Sequence, residues 1–212
     1  MNYQKKYIKY KTKYFNLIKQ KASGLDFLNR LKELYPNCKY DTIRKSYNIS
    51  LGYGEINYEG IEQLLSHLDI KPEYFIDIGS GRGKLPLYFS VYPYIEKSYG
   101  IEIVEERHND ALKLKDQLSE FDFIDKVEFI NDDVFNHTFN LNNLCLVFIS
   151  NLLFGSELTN NIFKKLIKEL PKNSIICCSK KPNNLQNLEL LKDIYVNMSW
   201  QDKSSLSIYK II

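Results

Sequence analysis

The chain has 212 residues, of which 44% are hydrophobic and 26% are charged, and its formal net charge is +3. This length suits one domain with a substantial core. The sequence has no signal-peptide pattern and no apolar run long enough to cross a bilayer, which predicts a soluble intracellular protein with no membrane partner. Its three histidines and four cysteines do not show paired metal-ligand spacing, so no metal site is expected.

The positive charge is concentrated at the N terminus. Residues 1–24 carry seven lysines and no acidic residue, a charge of +7, whereas the other 22 basic and 26 acidic residues sum to −4. Four tyrosines and a leucine recur there every three or four positions, which predicts one face of an amphipathic helix. These residues are Tyr3, Tyr7, Tyr10, Tyr14 and Leu17. Two compatible interpretations stay open. The tyrosine face packs on the body, or the lysine face, with Lys5, Lys6, Lys9 and Lys13, binds nucleic-acid phosphates or an acidic protein surface.

The predicted elements after this arm alternate between helix and strand. In chain order they are a helix at 25–35, an irregular stretch at 36–57, a helix at 58–68 capped by Asn57, a strand at 74–78, a helix at 83–92, a strand at 98–103, a helix at 105–121, strands at 127–131 and 144–150, a helix at 157–169, a strand at 174–179, a short helix near 185–192 and two late strands paired as an antiparallel hairpin. This order predicts an α/β fold: a Rossmann-like, doubly wound, mostly parallel sheet with an antiparallel edge. We divide the chain into a basic N-terminal helical arm (1–50) and an α/β domain (51–212).

The first strand-to-helix turn of the domain is rich in glycine. It reads FIDIGSGRGKL at residues 75–85. A phosphate-binding P-loop would need a hydroxyl residue where Leu85 stands, and a dinucleotide fingerprint would need a third glycine where Lys84 stands. Both of these ligands are therefore disfavoured.

Acidic residues at the ends of successive strands favour a third ligand, S-adenosylmethionine. Asp77 can orient its amino group, Glu102 can accept both ribose hydroxyls, and Asp133 can accept from the adenine amine with Val134 beside the ring. The plainer interpretation, turn glycines with solvated acids, stays open at this point.

Several segments then resemble one family, the disruptor-of-telomeric-silencing histone-lysine methyltransferases, which lack a SET domain and have the class I methyltransferase fold. The matching segments, over about residues 50–212, are YGEI (53–56), FIDIGSGRGKL (75–85), YGIEI (99–103), VFISNLLFGSEL (147–158), SKKP (179–182) and VNMSWQDKSS (196–205). The resemblance implies an S-adenosylmethionine-dependent enzyme that modifies a histone lysine in nucleosomes, with the domain 51–212 as its catalytic domain.

The resemblance also implies roles for individual residues. The cofactor-binding set is Tyr53, Glu55, Asp77, Gly79, Gly81, Glu102, Asp133, Val134 and Phe154. The set at the reaction centre is Ser150 and Asn151 beside the sulfonium, with Phe148, Leu152 and Trp200 as walls of a lysine channel. No general base is assigned, because water can take the proton of a lysine that a dry channel keeps neutral.

The sequence departs from the family pattern at three places in this site. Ser150 replaces an asparagine, Leu152 replaces an aromatic residue, and Lys84 replaces the glutamine that closes the glycine turn; Tyr209 is the nearest counterpart of a late tyrosine. A chromatin-associated or nuclear location and contact of the arm with DNA are expected. The alternatives are a class I methyltransferase acting on RNA, a non-histone protein or a small molecule, or a module that binds the cofactor without catalysis.

Overall fold

The computed structural model describes residues 23–37, 41–43, 51–183 and 185–212. The predicted tyrosine stripe, the four lysines of the candidate nucleic-acid surface and Cys38 lie outside these residues. The helices are α1 (described over residues 23–34), α2 (Tyr58–Leu65), α3 (Lys84–Ser90), α4 (Glu105–Asp116) and α5 (Ser156–Glu169), with a 3₁₀ helix at Asp122–Lys126. The strands are β1 (Asp41–Ile43), β2 (Leu51–Tyr53), β3 (Tyr74–Ile78), β4 (Lys97–Ile101), β5 (Val127–Ile130), β6 (Cys145–Ile149), β7 (Ile175–Cys178), β8 (Leu188–Val196) and β9 (Ser204–Ile211).

Seven strands form the main sheet in the order β5-β4-β3-β6-β7-β9-β8. The pairs from β5 to β7 are parallel, whereas β9 runs antiparallel between β7 and β8. Strand β3 lies between β4 and β6, so the strand order reverses on either side of it. In sheets of this kind ligands bind outside the carboxyl ends of the strands at the reversal. The doubly wound sheet predicted from the sequence is confirmed, including its antiparallel edge.

Side-chain alternation along the central strands separates the core into two layers. Phe75 and Phe148 belong to one buried cluster, whereas Ile76 and Val147, their neighbours in sequence, belong to the other. Successive residues of a strand point to opposite faces, so both faces of the sheet are covered. The three cysteines of the described strands are buried, and burial raises the pKa of the Cys145 thiol to about 12. These thiols are packing residues.

Helix α5 shows how the sequence fixes one of these layers. Its buried residues are Thr159, Ile162, Phe163 and Leu166, the spacing of one helical face. Glu157 lies in its first turn and Lys168 in its last, which suits the helix dipole.

Helix α1 belongs to the same body. Phe27, Leu31 and Tyr35 are buried in the core cluster that contains Phe75, and the Phe27 ring meets the edge of Phe121 at 5.2 Å. The described end of the N-terminal arm therefore packs on the domain. The boundary at residue 50 stays a prediction.

The short helix predicted near 185–192 is wrong, because these residues enter strand β8. Leucine, glutamate and lysine favour a helix in isolation, but β8 gains a full antiparallel ladder with β9 from Leu188 to Val196, with an irregularity between Leu190 and Lys192. Tertiary pairing outweighs local propensity here. Among the described residues no helix is long and apolar enough to cross a membrane.

Candidate active site

The glycine loop (residues 79–83) turns the chain from β3 into α3. Gly79, Gly81 and Gly83 have φ of 77°, 55° and 84°, a conformation that other residues rarely adopt. A Cβ on Gly83 would also lie 2.4 Å from the Phe129 ring, whereas one on Gly79 would meet no protein atom within 4 Å. The backbone conformation therefore requires the glycine at 79, and close packing adds a second reason at 83.

Four backbone N–H groups of this loop donate to acceptors inside the protein. Those of Gly79 and Ser80 donate to the Ile101 carbonyl at 2.8 and 3.0 Å, and that of Gly83 donates to the Ser80 carbonyl at 3.0 Å. The N–H of Gly81 donates to Glu102 Oε2 at 2.8 Å. A phosphate site needs several such groups directed at the ligand. The geometry thus agrees with the sequence argument from Lys84 and Leu85, which disfavours a phosphate ligand.

Two carboxylates lie at the base of the loop. Glu102 follows β4, is buried, and accepts from the N–H groups of Gly81 and Val104 at 2.8 Å each, which leaves further lone pairs for ligand hydroxyls. Asp77 in β3 is only 4% exposed. Burial raises the pKa of the Asp77 carboxyl well above its usual range, with smaller contributions in the same direction from Glu102 and Glu55 and an opposing one from Lys84. A cationic ligand would relieve this repulsion.

The end of β5 provides the third acidic position. Asp133 Oδ1 accepts from the Phe135 N–H at 3.0 Å, which orders the turn, and Val134 is buried in the second core cluster. Asn131 Nδ2 donates to the Glu102 carbonyl at 2.8 Å and so joins this turn to the end of β4.

These residues fit the predicted cofactor, S-adenosylmethionine. The cluster is acidic, it lies at the sheet reversal, and four of its loop amides already have acceptors within the protein. The buried hydroxyl of Ser80 has no hydrogen-bond partner in the part of the chain that the structure describes. A cationic ligand with several hydroxyl groups suits such a site, and a di- or triphosphate does not.

On the other side of β3, two segments distant in sequence lie together: the YGEI segment (residues 53–56) and the NMSW segment (residues 197–200). The Glu55 N–H donates to Ser199 Oγ at 3.0 Å, and the Ser199 N–H donates to the Glu55 carbonyl at 2.8 Å. A Cβ on Gly54 would lie 2.4 Å from the Trp200 ring. The Trp200 ring therefore covers the backbone of Gly54, and no larger residue fits beneath it.

The side chain of Glu55 connects the YGEI segment to the glycine loop. Its Oε2 lies 3.2 Å from Lys84 Nζ in the first turn of α3, and it accepts from the Tyr35 hydroxyl at the same distance. Tyr35 directly follows α1. Three distant parts of the chain thus meet at one carboxylate oxygen.

The end of β6 is held by the amide of Asn151. Its Oδ1 accepts from the Lys180 N–H at 2.8 Å and its Nδ2 donates to the Lys180 carbonyl at 2.9 Å. Lys180 Nζ in turn donates to the Phe154 carbonyl at 2.6 Å. This clamp fixes the turn after β6, which includes half-buried Ser150 and Phe154, to the segment after β7.

The predicted channel residues occupy different environments. Phe148 is buried in the first core cluster, and half-buried Trp200 packs against that cluster. Leu152 is 48% exposed and Leu153 is 53% exposed, so the turn after β6 presents two leucines to solvent. Tyr53 is the last residue of β2, where it pairs with Asp41. The roles of these residues in a channel stay predictions.

Three residues of the site were not found by sequence reasoning: Tyr35, Lys180 and Ser199. Each acts through a partner more than 15 residues away, so no periodicity or local spacing marks it. Ser199 and Lys180 lie inside segments that resemble the family, and this location was the feature of the sequence that could have indicated them.

The sheet order and the glycine loop define a class I methyltransferase fold. Solved structures with this fold include the mitomycin 7-O-methyltransferase MmcR (TM-score 0.55, 11% identity, 72% of this chain and 53% of that one) and the putative methyltransferase yhhF from Escherichia coli (TM-score 0.55, 16% identity, 72% and 84%). The chain belongs to the family described as "Histone methylation protein DOT1", whose sequence model matches residues 43–199. The resemblance read from the motifs is thereby confirmed.

Curated relatives of this chain are two proteins named "Histone-lysine N-methyltransferase, H3 lysine-79 specific". The protein from Caenorhabditis elegans is 30% identical over 138 residues, and the one from Drosophila melanogaster is 27% identical over 140 residues. These matches cover 61% and 60% of this chain but only 15% and 7% of the relatives. The chain thus corresponds to a small part of each relative.

Proposed function

We propose that the protein is an S-adenosylmethionine-dependent protein-lysine methyltransferase that modifies a core histone lysine in nucleosomes. The observation that carries the proposal is the meeting of the glycine loop, the YGEI segment and the NMSW segment at one edge of the sheet. Hydrogen bonds of 3.0 and 2.8 Å join Glu55 to Ser199, 144 positions away. An ion pair of 3.2 Å joins Glu55 to Lys84, the residue that follows the glycine loop. The names of the two curated relatives support a histone acceptor.

The acidic strand ends and the glycine loop would hold the cofactor. Asp77 would bind its amino group, Glu102 its ribose hydroxyls, and Asp133 its adenine amine. When bound, S-adenosylmethionine supplies a methyl group on a positively charged sulfur. The remaining residues proposed to surround it are Tyr53, Glu55, Gly79, Gly81, Val134 and Phe154.

The acceptor lysine would reach the site through a narrow apolar channel. Phe148, Leu152 and Trp200 are its proposed walls, with Ser150 and Asn151 at the inner end. Removal of a lysine ammonium from water lowers its pKa, so the amine arrives neutral and water accepts its proton. Alignment of the neutral amine with the methyl donor then supplies most of the rate, and no residue is needed as a general base.

The N-terminal arm is proposed to assist binding to chromatin, in the nucleus or wherever nucleosomes are located. Residues 1–24 carry a charge of +7 against −4 on the remainder, and a lysine face of this kind binds DNA phosphates with a strong dependence on salt. The proposal assigns Lys5, Lys6, Lys9 and Lys13 to this contact.

The cofactor assignment is tested by calorimetry with S-adenosylmethionine. Loss of the charge-assisted hydrogen bonds of Glu102, together about 3 kcal/mol, predicts about a hundredfold weaker binding for Glu102→Ala. The control is Glu105→Ala, which removes an exposed carboxylate from the start of α4. Equal affinity of the Glu102→Ala variant and the wild type would refute the assignment.

The acceptor is tested by labelled methyl transfer to nucleosomes, free core histones and total RNA, followed by mass-spectrometric mapping. Label on one histone lysine is expected, and label in RNA alone would overturn the proposal. Deletion of residues 2–21 should weaken DNA affinity and reduce its salt dependence. Unchanged DNA binding would mean that the arm does not contact DNA.

A further inference from the structure

A lysine ammonium is buried beside the glycine loop. Lys84, at the start of α3, is 2% exposed, and its Nζ lies 3.2 Å from Glu55 Oε2. Charged side chains are almost never fully buried unless they are paired. The pair therefore joins the start of α3, directly after the glycine loop, to the YGEI segment.

Aromatic rings surround this ion pair. Lys84 Nζ lies 5.2 Å from the centre of the Tyr58 ring and 5.8 Å from that of Tyr35, both within the range of a cation–π interaction. A second cation, the Arg82 guanidinium, lies 4.6 Å from the centre of the Tyr35 ring. Tyr35 also donates its hydroxyl to Glu55, so both Lys84 and Tyr35, from distant parts of the chain, hold the Glu55 carboxylate.

The same ammonium affects the next carboxylate along the site. The charged groups that act on Asp77 are Glu102 and Glu55, which raise its pKa, and Lys84, which lowers it. Among the residues that the structure describes, Lys84 is the cation that opposes the two acidic neighbours of Asp77. Removal of the Lys84 ammonium would leave the carboxylates of Asp77, Glu55 and Glu102 without its positive charge.

We propose that Lys84 is a positioning residue for the cofactor site: its buried ammonium holds Glu55 across the glycine loop and balances the negative charge around Asp77. The inference rests on the proposed binding of S-adenosylmethionine, whose amino group Asp77 would bind. Where the sequence departs from the glutamine of the family pattern, this chain thus uses a charge to organise two proposed cofactor ligands.

The role predicts a specific pH dependence. The folded pKa of Asp77 is raised, so cofactor affinity should fall as pH falls through it and the carboxylate takes up a proton. Loss of the positive charge at position 84 raises that pKa further and moves the fall in affinity to higher pH. A substitution that keeps the charge should leave the profile in place.

The experiment is calorimetric titration of the full chain with S-adenosylmethionine between about pH 5 and about pH 9. For Lys84→Met and Lys84→Gln we expect about tenfold weaker binding at neutral pH and an acidic limb moved up by about one pH unit. Lys84→Arg should restore most of the affinity and the wild-type limb. Tyr35→Phe removes only the hydroxyl donor to Glu55, so it should weaken binding without moving the limb.

The control is Lys172→Met, which removes an exposed lysine from the turn between α5 and β7. Lys84→Gln keeps a hydrogen-bonding side chain, so it tests the charge even if Lys84→Met does not fold. A wild-type affinity and limb in Lys84→Gln would overturn the positioning role while the cofactor assignment stands. A wild-type protein that binds no S-adenosylmethionine at any pH would overturn the cofactor assignment and this inference with it.

Discussion

Replacement of Asn151 by alanine separates a role in the fold from a role in the reaction. The resemblance assigns Asn151 to the reaction centre, but both polar atoms of its amide bind the backbone of Lys180, at 2.8 and 2.9 Å. Nδ2 also lies 3.4 Å from Thr159 Oγ1. The side chain is almost fully buried. Asn151→Ala therefore removes two backbone hydrogen bonds and leaves both Lys180 groups without that partner.

The expected cost follows from these contacts. Each lost hydrogen bond contributes about 1 kcal/mol, and leaving its partner unsatisfied in a partly buried place adds about 1 kcal/mol or less, so the total is about 3 kcal/mol. For a chain of this length that corresponds to a fall in Tm of about 6–12 °C. Urea unfolding followed by circular dichroism measures the same loss as a lower midpoint with an unchanged slope.

Asn160→Ala provides the matched control. Its Oδ1 accepts one hydrogen bond, from the Asn183 N–H at 2.8 Å, at an exposed position, so its loss should cost less than about 1 kcal/mol. An Asn151→Ala variant as stable as the wild type would refute the clamp. If that variant were also unable to transfer methyl groups, the amide would act on the reaction and not on the fold.

Two further predictions concern stability. Burial raises the folded pKa of Asp77 above its unfolded value, so its contribution to stability is full below about pH 4 and is lost as pH rises through the folded pKa. Asp77→Asn should thus raise the urea midpoint of the ligand-free protein at neutral pH, and an equal gain at about pH 4 would contradict this cause. A Cβ on Gly60 would lie 2.2 Å from the Asn197 carbonyl oxygen, so Gly60→Ala should lose about 3 kcal/mol in the same assay. Gly155→Ala, where a Cβ meets no atom within 4 Å, is the control, and equal losses would show that the contact is not limiting.

The sequence was sufficient for those parts of the fold that depend on local pattern. The alternation of apolar strands and amphipathic helices predicted the doubly wound sheet, and β3 has the predicted bounds, Tyr74–Ile78. The β8 strand was missed at its start because its residues favour a helix and only pairing with β9 makes them extended. Helix α4 ends at Asp116, earlier than expected, and turns closed by hydrogen bonds from Leu118 to Lys115 and from Ser119 to Asp116 follow it.

The candidate site divides in the same way. Asp77, the glycines, Glu102 and Asp133 could be predicted from the sequence because each lies at or near the end of a strand. The partnership of Lys84 with Glu55 joins residues 29 positions apart, and that of Asn151 with Lys180 joins residues equally far apart. Such pairs depend on which strands become neighbours, and no single segment of sequence carries that information.

The exchange of hydrogen bonds between the YGEI and NMSW segments has a consequence for redesign. Besides the bonds of Glu55 with Ser199, the Asn57 N–H donates to the Asn197 carbonyl at 3.0 Å, and a Cβ on Gly60 would lie 2.2 Å from the same carbonyl oxygen. Residues 53–60 and 196–200 therefore form one packed unit. A chimaera that takes one segment from a relative and keeps the other from this chain would bring together surfaces shaped for different partners. A chimaera that keeps these contacts therefore requires both segments to be exchanged at once.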